Sequence, residues 1–262
     1  MIRIIDAHTH VNMMDPAQRN VVMQRAHDAG IGVINVGADE QSSRDAVNLT
    51  QVYQKNTWAV VGYHPHEAVK SLDMELLEAL AFDSHVVGIG ECGLDYFKIH
   101  VESETETKHK QKELFEKQIY LSHKIKKPLV IHCREAFADT IELLKKHQNL
   151  LFPEAGILHF FTGTIQDAQA LLQLGFSFTF GGLITFNRSF DEIIKYIPNN
   201  HLLVETDAPW VAPKSHRGQT NEPLYIEEVV ESLALIKGVS RDEMQNILLE
   251  NTKRVFGLDI KR

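Results

Sequence analysis

Residues 4–10 read Ile-Ile-Asp-Ala-His-Thr-His, a short β-branched run that ends in two histidines one residue apart. On an extended segment the side chains at i and i+2 leave the same face, with a rise of ~3.3 Å per residue, so His8 and His10 can converge on one ion. Outward from this stretch the same kind of run recurs. Arg3–Ala7 is followed by Gly32–Val36, Ala59–Gly62, Val86–Gly90, Leu129–His132, Gly156–His159, Ser177–Phe180 and Leu202–Glu205, each with a plausible helix behind it. Short apolar runs alternating with longer amphipathic segments are the pattern of repeated βα units on a parallel sheet. Spread over eight units, 262 residues give about the ~30 that each unit needs. The expected architecture is α/β, a single (β/α)8 TIM-barrel domain over residues 1–262.

Local signals agree with this division. Asp15-Pro16-Ala17-Gln18 offers a helix cap with a first-turn proline, and Ser240-Arg241-Asp242-Glu243 has capping-box spacing. Gly30, Gly175 and Gly238 fall just past periodic apolar stretches, where a left-handed residue stops a helix. The segment Glu106–Lys126 sets Leu114, Phe115, Ile119, Leu121 and Ile125 to one side at helical spacing, leaving its lysines as a solvated face.

A hydrophobic share of 44% and a charged share of 24% are those of an ordinary folded protein. A formal net charge of −8 argues against coating duplex DNA through a broad basic face, though it leaves room for a local phosphate site. No apolar run of ~18 residues and no secretory leader pattern stand out, so a cytoplasmic location without membrane contact is the expectation. The two cysteines, Cys92 and Cys133, read as reduced packing residues. Nothing points to an obligate protein partner.

In a (β/α)8 barrel the functional residues sit at the carboxyl ends of the strands. There the sequence has His8 and His10 after the first strand, Glu91 after the fourth, His132 after the fifth, His159 after the sixth and Asp207 after the eighth. With 14 histidines in the chain, one imidazole means little; the shared position at strand ends is what singles out these six. Four imidazoles and two carboxylates exceed what one divalent ion with an open position takes, so two ions sharing a carboxylate such as Glu91 is the natural count.

The chain resembles the TatD-type metal-dependent deoxyribonucleases of the amidohydrolase superfamily. The resemblance rests on Asp-Ala-His-Thr-His (6–10), Gly-Tyr-His-Pro-His (62–66), Gly-Glu-Cys-Gly-Leu-Asp-Tyr (90–96) and Lys-Pro-Leu-Val-Ile-His-Cys-Arg-Glu-Ala (127–136). It continues in His-Phe-Phe-Thr-Gly (159–163), Glu-Thr-Asp-Ala-Pro-Trp (205–210) and Arg-Gly-Gln-Thr-Asn-Glu-Pro (217–223). It implies that His8, His10, Glu91 and Asp207 hold one ion and Glu91, His132 and His159 the second. It also implies Mg2+-supported hydrolysis of DNA, typically from a 3′ end. Two positions depart from the family's frequent pattern. Val11-Asn12 stands where Leu-Asp is common, and Phe160 where Cys is common. Neither removes a ligand, so they bear on substrate preference.

Phosphodiester hydrolysis needs an activated water and neutralised phosphate oxygens, which paired cations supply. Asp207 is both a ligand and the candidate base, or a ligand alone while another group moves the proton. Glu205, two residues earlier, could orient a histidine ligand or be a buried structural carboxylate. His64 is the favoured phosphate donor of the His64-Pro65-His66 pair, with His66 beside it. Arg134 could fork onto a phosphate or pair with Glu135. Asn221 and Glu222 could touch substrate at the mouth or form a loop and helix cap. Four imidazoles lean toward softer ions than Mg2+, so Mn2+ or Zn2+ could serve. The leading expectation is a dinuclear DNase acting on DNA ends or single strands. The alternatives are an ester or amide hydrolase on the same barrel, such as an aminoacyl-tRNA deacylase or lactonase, and a protein that keeps the fold for interaction alone.

Overall fold

In the computed structural model, which describes residues 2–100 and 103–260, eight parallel strands pair in chain order in one sheet. They are β1 (Ile4–Thr9), β2 (Ile31–Val36), β3 (Thr57–Val61), β4 (Val86–Asp95), β5 (Leu129–Arg134), β6 (Gly156–Leu158), β7 (Phe176–Phe180) and β8 (Leu202–Val204). All eight expected runs are strands. The largest difference is in β4, which continues past Gly90 to Asp95. Its pairing with β5 shifts register between Ile89 and Cys92, and this irregularity holds Glu91.

The barrel closes beside the future site. Asp207 N donates to His8 O at 3.0 Å and His10 N donates to Ala208 O at 2.7 Å, joining the end of β1 to the segment after β8. Below them the buried Asp6 carboxyl accepts from Thr206 N at 3.0 Å, substituting a side chain for a ladder carbonyl.

The helices between strands are α1 (Pro16–Asp28), α2 (Glu40–Val52), α3 (Met74–Ala81), α4 (Glu104–Ile125), α5 (Phe137–Lys146), α6 (Ile165–Gln173), α7 (Asp191–Tyr196) and α8 (Ile226–Lys237), and α9 (Arg241–Phe256) follows. Their ends follow the local chemistry. Asp15 accepts from Ala17 N and Gln18 N, Ser240 accepts from Glu243 N, and Gly238 ends α8 at φ 69°. Lysines of α4 pair with carboxylates, Lys108 with Glu104 and Lys112 with Asp139 among them, as a solvated face does.

Apolar side chains form two layers because successive residues of a strand point to opposite faces. Ile4, Val33, Ala59 and Ile131 pack outward against the helices. Ile5, Ile34, Val60 and Val130 fill the barrel, which Val255, Phe256 and Leu258 plug from the C-terminal segment. With both faces covered, β1 and β2 are buried throughout.

Candidate metal centre

The six residues singled out at strand ends come together at the mouth, arranged around Glu91. Glycines make room for it. A Cβ on Gly62 would lie 2.4 Å from the Gly90 carbonyl, and one on Gly90 would lie 2.4 Å from Val130 O. With this close approach, Glu91 N donates to Gly37 O at 2.8 Å and the side chain stands buried in the middle of the cluster.

Each oxygen of Glu91 faces a different group. Oε2 lies 3.4 Å from His10 Nε2 and 3.7 Å from His8 Nε2, and Asp207 Oδ1 completes this group at 3.6 and 3.8 Å from the same nitrogens. Oε1 lies 2.8 Å from His132 Nδ1, 3.2 Å from His159 Nε2 and 3.6 Å from His64 Nε2.

Hydrogen bonds on the far side of each ring decide what its near nitrogen can do. His10 Nδ1 donates to Val36 O at 2.9 Å, so in the neutral ring Nε2 carries a bare lone pair. That lone pair faces His8 Nε2 at 3.0 Å. Two imidazole nitrogens at this separation, beside two carboxylate oxygens, need a shared cation or proton between them, and the donor set fits a divalent metal. His64 is the opposite case, because its Nδ1 accepts from His66 N at 3.2 Å. Its neutral ring therefore carries a proton on Nε2 and presents a donor.

Two of the three histidines facing Glu91 Oε1, His132 and His159, are backed by carboxylates. His132 Nε2 lies 3.0 Å from Asp95 Oδ2, and His159 Nδ1 lies 3.5 Å from Glu205 Oε1. Glu205 is itself fixed, accepting from Phe160 N at 2.8 Å and Thr179 Oγ1 at 2.6 Å. This is the carboxylate–histidine arrangement that orients metal ligands and raises their basicity.

The charges respond to this crowding. Burial would lower the pKa of His159, but Glu205 and Glu91 carry it well above its ordinary value. Burial likewise opposes the protonated form of His132 and of His10, yet hydrogen bonds to Asp95 and Glu91 raise the first and Glu91 raises the second. His8 goes the other way, lowered by burial and by His159 and His10. Burial would raise Glu91, but the surrounding imidazoles hold it well below the carboxylate range. Burial pushes the Asp207 carboxyl up to about 6 against the pull of His159 and His10, and His64 is pushed down to about 3 by burial.

A cavity of about 380 Å³ opens above the cluster, lined in part by His132, Arg134, His159, Phe160 and Asp207. Arg134 stacks its guanidinium on Phe97 at 3.5 Å, leaving the fork at the cavity wall. His66 is exposed at the rim, its Nε2 3.3 Å from Asp95 Oδ2. Cys92 and Cys133 are buried, with Cys133 Sγ 3.3 Å from Thr140 Oγ1, and burial pushes the Cys133 thiol up to about 12. Of the two readings of residues 221–222, the geometry matches the structural one. Asn221 Nδ2 donates to Thr206 O and Trp210 O, both at 2.7 Å, and Glu222 pairs with Arg25 at 2.7 Å.

Asp95, which lies in the Gly-Glu-Cys-Gly-Leu-Asp-Tyr motif, is a functional residue that the strand-end rule does not reach. The usable signal was the two-residue period: with β4 continued past Gly90, Glu91 and Asp95 lie on one face. Backbone strain also marks the mouth, where Phe160 (φ 47°), Asp207 (φ 55°) and Val211 (φ 47°) all take left-handed conformations.

An eight-stranded parallel barrel whose mouth gathers imidazoles and carboxylates around one central glutamate defines the class, an amidohydrolase-like metal-dependent hydrolase. Within it the chain belongs to the TatD family, whose sequence model, described as TatD related DNase, matches residues 5–257. It is 33% identical over 264 residues to the "Uncharacterized metal-dependent hydrolase YabD" of Bacillus subtilis, covering 98% of this chain and 100% of that one. It is also 33% identical over 250 residues to the "3'-5' ssDNA/RNA exonuclease TatD" of Erwinia amylovora, covering 92% and 94%. Among solved structures, the TatD homologue YJJV of Escherichia coli K12 superimposes with a TM-score of 0.87 at 29% identity, covering 98% of this chain and 99% of that one. Among the described residues, no helix is long and apolar enough to cross a membrane.

Proposed function

We propose that this protein is a two-cation phosphodiesterase that removes nucleotides from the 3′ ends of single-stranded DNA. The observation that carries the reading is the division of Glu91, whose Oε2 faces His8 and His10 while Oε1 faces His132 and His159. On this reading His8, His10, Asp207 and Glu91 hold one cation, and Glu91, His132 and His159 hold the other. When bound, such a pair neutralises phosphate oxygens and makes an attacking water more acidic. The relative in Erwinia amylovora named as a 3'-5' ssDNA/RNA exonuclease supports the choice of reaction and polarity.

The chain's own groups divide the remaining work. Asp207, with 15% of its side chain exposed, faces the cavity and accepts the proton of the attacking water. His64, with its donor on Nε2, hydrogen-bonds a non-bridging phosphate oxygen. Arg134 holds a neighbouring phosphate with its planar fork.

The test compares turnover of 3′-ended single-stranded DNA, acylated tRNA and a small lactone by metal-stripped protein reloaded in turn with Mg2+, Mn2+ and Zn2+. Turnover of the DNA, lost in Asp207→Asn while the melting transition persists, is the expected result. Faster turnover of an acyl substrate than of DNA under every metal would replace the reading with that of an ester or amide hydrolase.

A further inference from the structure

We propose that the indole of Trp210 is a stacking platform for the base of the nucleotide being removed, an inference that rests on the function proposed above. Trp210 is 47% exposed, an uncommon position for so large an apolar side chain. It is nevertheless held firmly. Its amide donates to Asp207 O at 2.9 Å, and its carbonyl accepts from Asn221 Nδ2, a side chain with no exposure at all. The ring lies 5.0 Å from His10 at an interplanar angle of 64°, an edge-to-face contact that leaves a face of the indole free. The next residue, Val211, is a β-branched side chain in the left-handed region and lines the cavity, so the backbone that carries Trp210 runs beside it. One short turn thus carries Asp207, beside the candidate metal ligands, and an aromatic face beyond it.

The overall charge is consistent with such a platform. A net charge of −8 argues against holding a nucleic acid strand through a broad basic face, which gives more weight to contacts at the site. Aromatic stacking supplies it with little dependence on sequence, because every base has a π-face. Arg134 at the cavity wall takes phosphate, and Trp210 takes the flat, uncharged part of the same nucleotide.

The position of the second tryptophan makes the inference readable by fluorescence. Trp58 is the second residue of β3 and packs on the barrel-filling cluster at the end opposite the mouth. The probes are thymidine 5′-monophosphate and 2-deoxyribose 5-phosphate, which share phosphate and sugar and differ in the base, titrated calorimetrically into Mg2+-loaded protein and its variants, with indole emission followed in the unmodified protein. Thymidine monophosphate should quench the indole emission and bind roughly tenfold or more tightly than the sugar phosphate. Trp210→Ala should erase that difference, and Trp210→Phe should retain most of it. Equal binding of the two probes by the unmodified protein would overturn the inference. So would a base preference that survives in Trp210→Ala, or a loss of both probes together, which would mean that the ring only supports His10. Hydrolysis of DNA without base-dependent binding would remove the platform and leave the proposed reaction. Base-dependent quenching without hydrolysis would do the reverse.

Discussion

The Asp95 carboxylate lies 3.0 Å from Nε2 of His132, on the side of the ring away from Glu91. An imidazole held this way keeps its proton toward Asp95 and its lone pair toward Glu91, where a cation would sit. Asp95→Asn, which can still accept a hydrogen bond but carries no charge, should weaken metal binding at this position about 10- to 100-fold. Calorimetric titration of stripped protein with Mn2+ measures it. An unchanged binding curve would reduce Asp95 to a packing role.

His64 and His132 both face Glu91 Oε1 and both carry the proton on Nε2, but His64 turns that nitrogen to Glu91 whereas His132 turns it to Asp95 and offers Glu91 the bare Nδ1. His132→Ala should lose one equivalent of metal by elemental analysis. His64→Ala should retain the full complement and lose turnover on DNA, by about 100-fold if its hydrogen bond forms chiefly in the transition state. Metal loss in His64→Ala would make that ring a ligand instead.

The raised pKa values of His10, His132 and His159 predict that cations compete with protons. Binding should release protons, measurable by titration in buffers of different ionisation enthalpy, and affinity should fall as pH falls. For the metal-free protein the sign follows from linkage. Histidines with raised values stabilise the fold fully below their unfolded pKa, near 6.5, and this contribution is lost as pH rises through their folded values. The depressed value of Glu91 stabilises above the usual carboxylate range and is lost in acid. The metal-free protein should therefore melt at a lower temperature at pH 9 than at pH 6.5, and the increase in Tm on adding metal should be larger at pH 9. A larger increase at pH 6.5 would contradict this.

Gly62 sets the distance between β3 and the backbone that carries Glu91. A methyl group there would meet the Gly90 carbonyl at 2.4 Å, which the chain can relieve only by moving backbone. Gly62→Ala should cost about 1–3 kcal/mol, typical of overpacking, and lower activity out of proportion to that loss. Thermal melting with metal titration separates the two effects. A variant of normal stability and full metal affinity would show that the close approach does not position Glu91.

How much of this was legible in the sequence can be judged element by element. The eight runs and their helices could be read locally, because a period of two and a period near 3.6 are written into neighbouring residues. His8, His10, Glu91, His132, His159 and Asp207 could be read because a parallel barrel brings all its strand ends to one mouth. Asp95 is not legible in this way, because Gly90 in an apolar run reads as the end of a strand; the observed strand absorbs it in a register shift. Trp210 lies within the Glu-Thr-Asp-Ala-Pro-Trp motif, but nothing local distinguishes an indole that packs from one that stands exposed.

The sequence by itself determined the order of strands, the barrel and the identity of the groups delivered to its mouth, since these depend on patterns within a few residues of each other. Only the tertiary structure decided which nitrogen of each ring faces inward. That choice rests on partners distant in the chain: Val36 O behind His10, Asp95 behind His132 and Glu205 behind His159. The closure of Asp207 onto His8 is of the same kind, because a hydrogen bond across 199 residues leaves no trace in the spacing of either residue's neighbours.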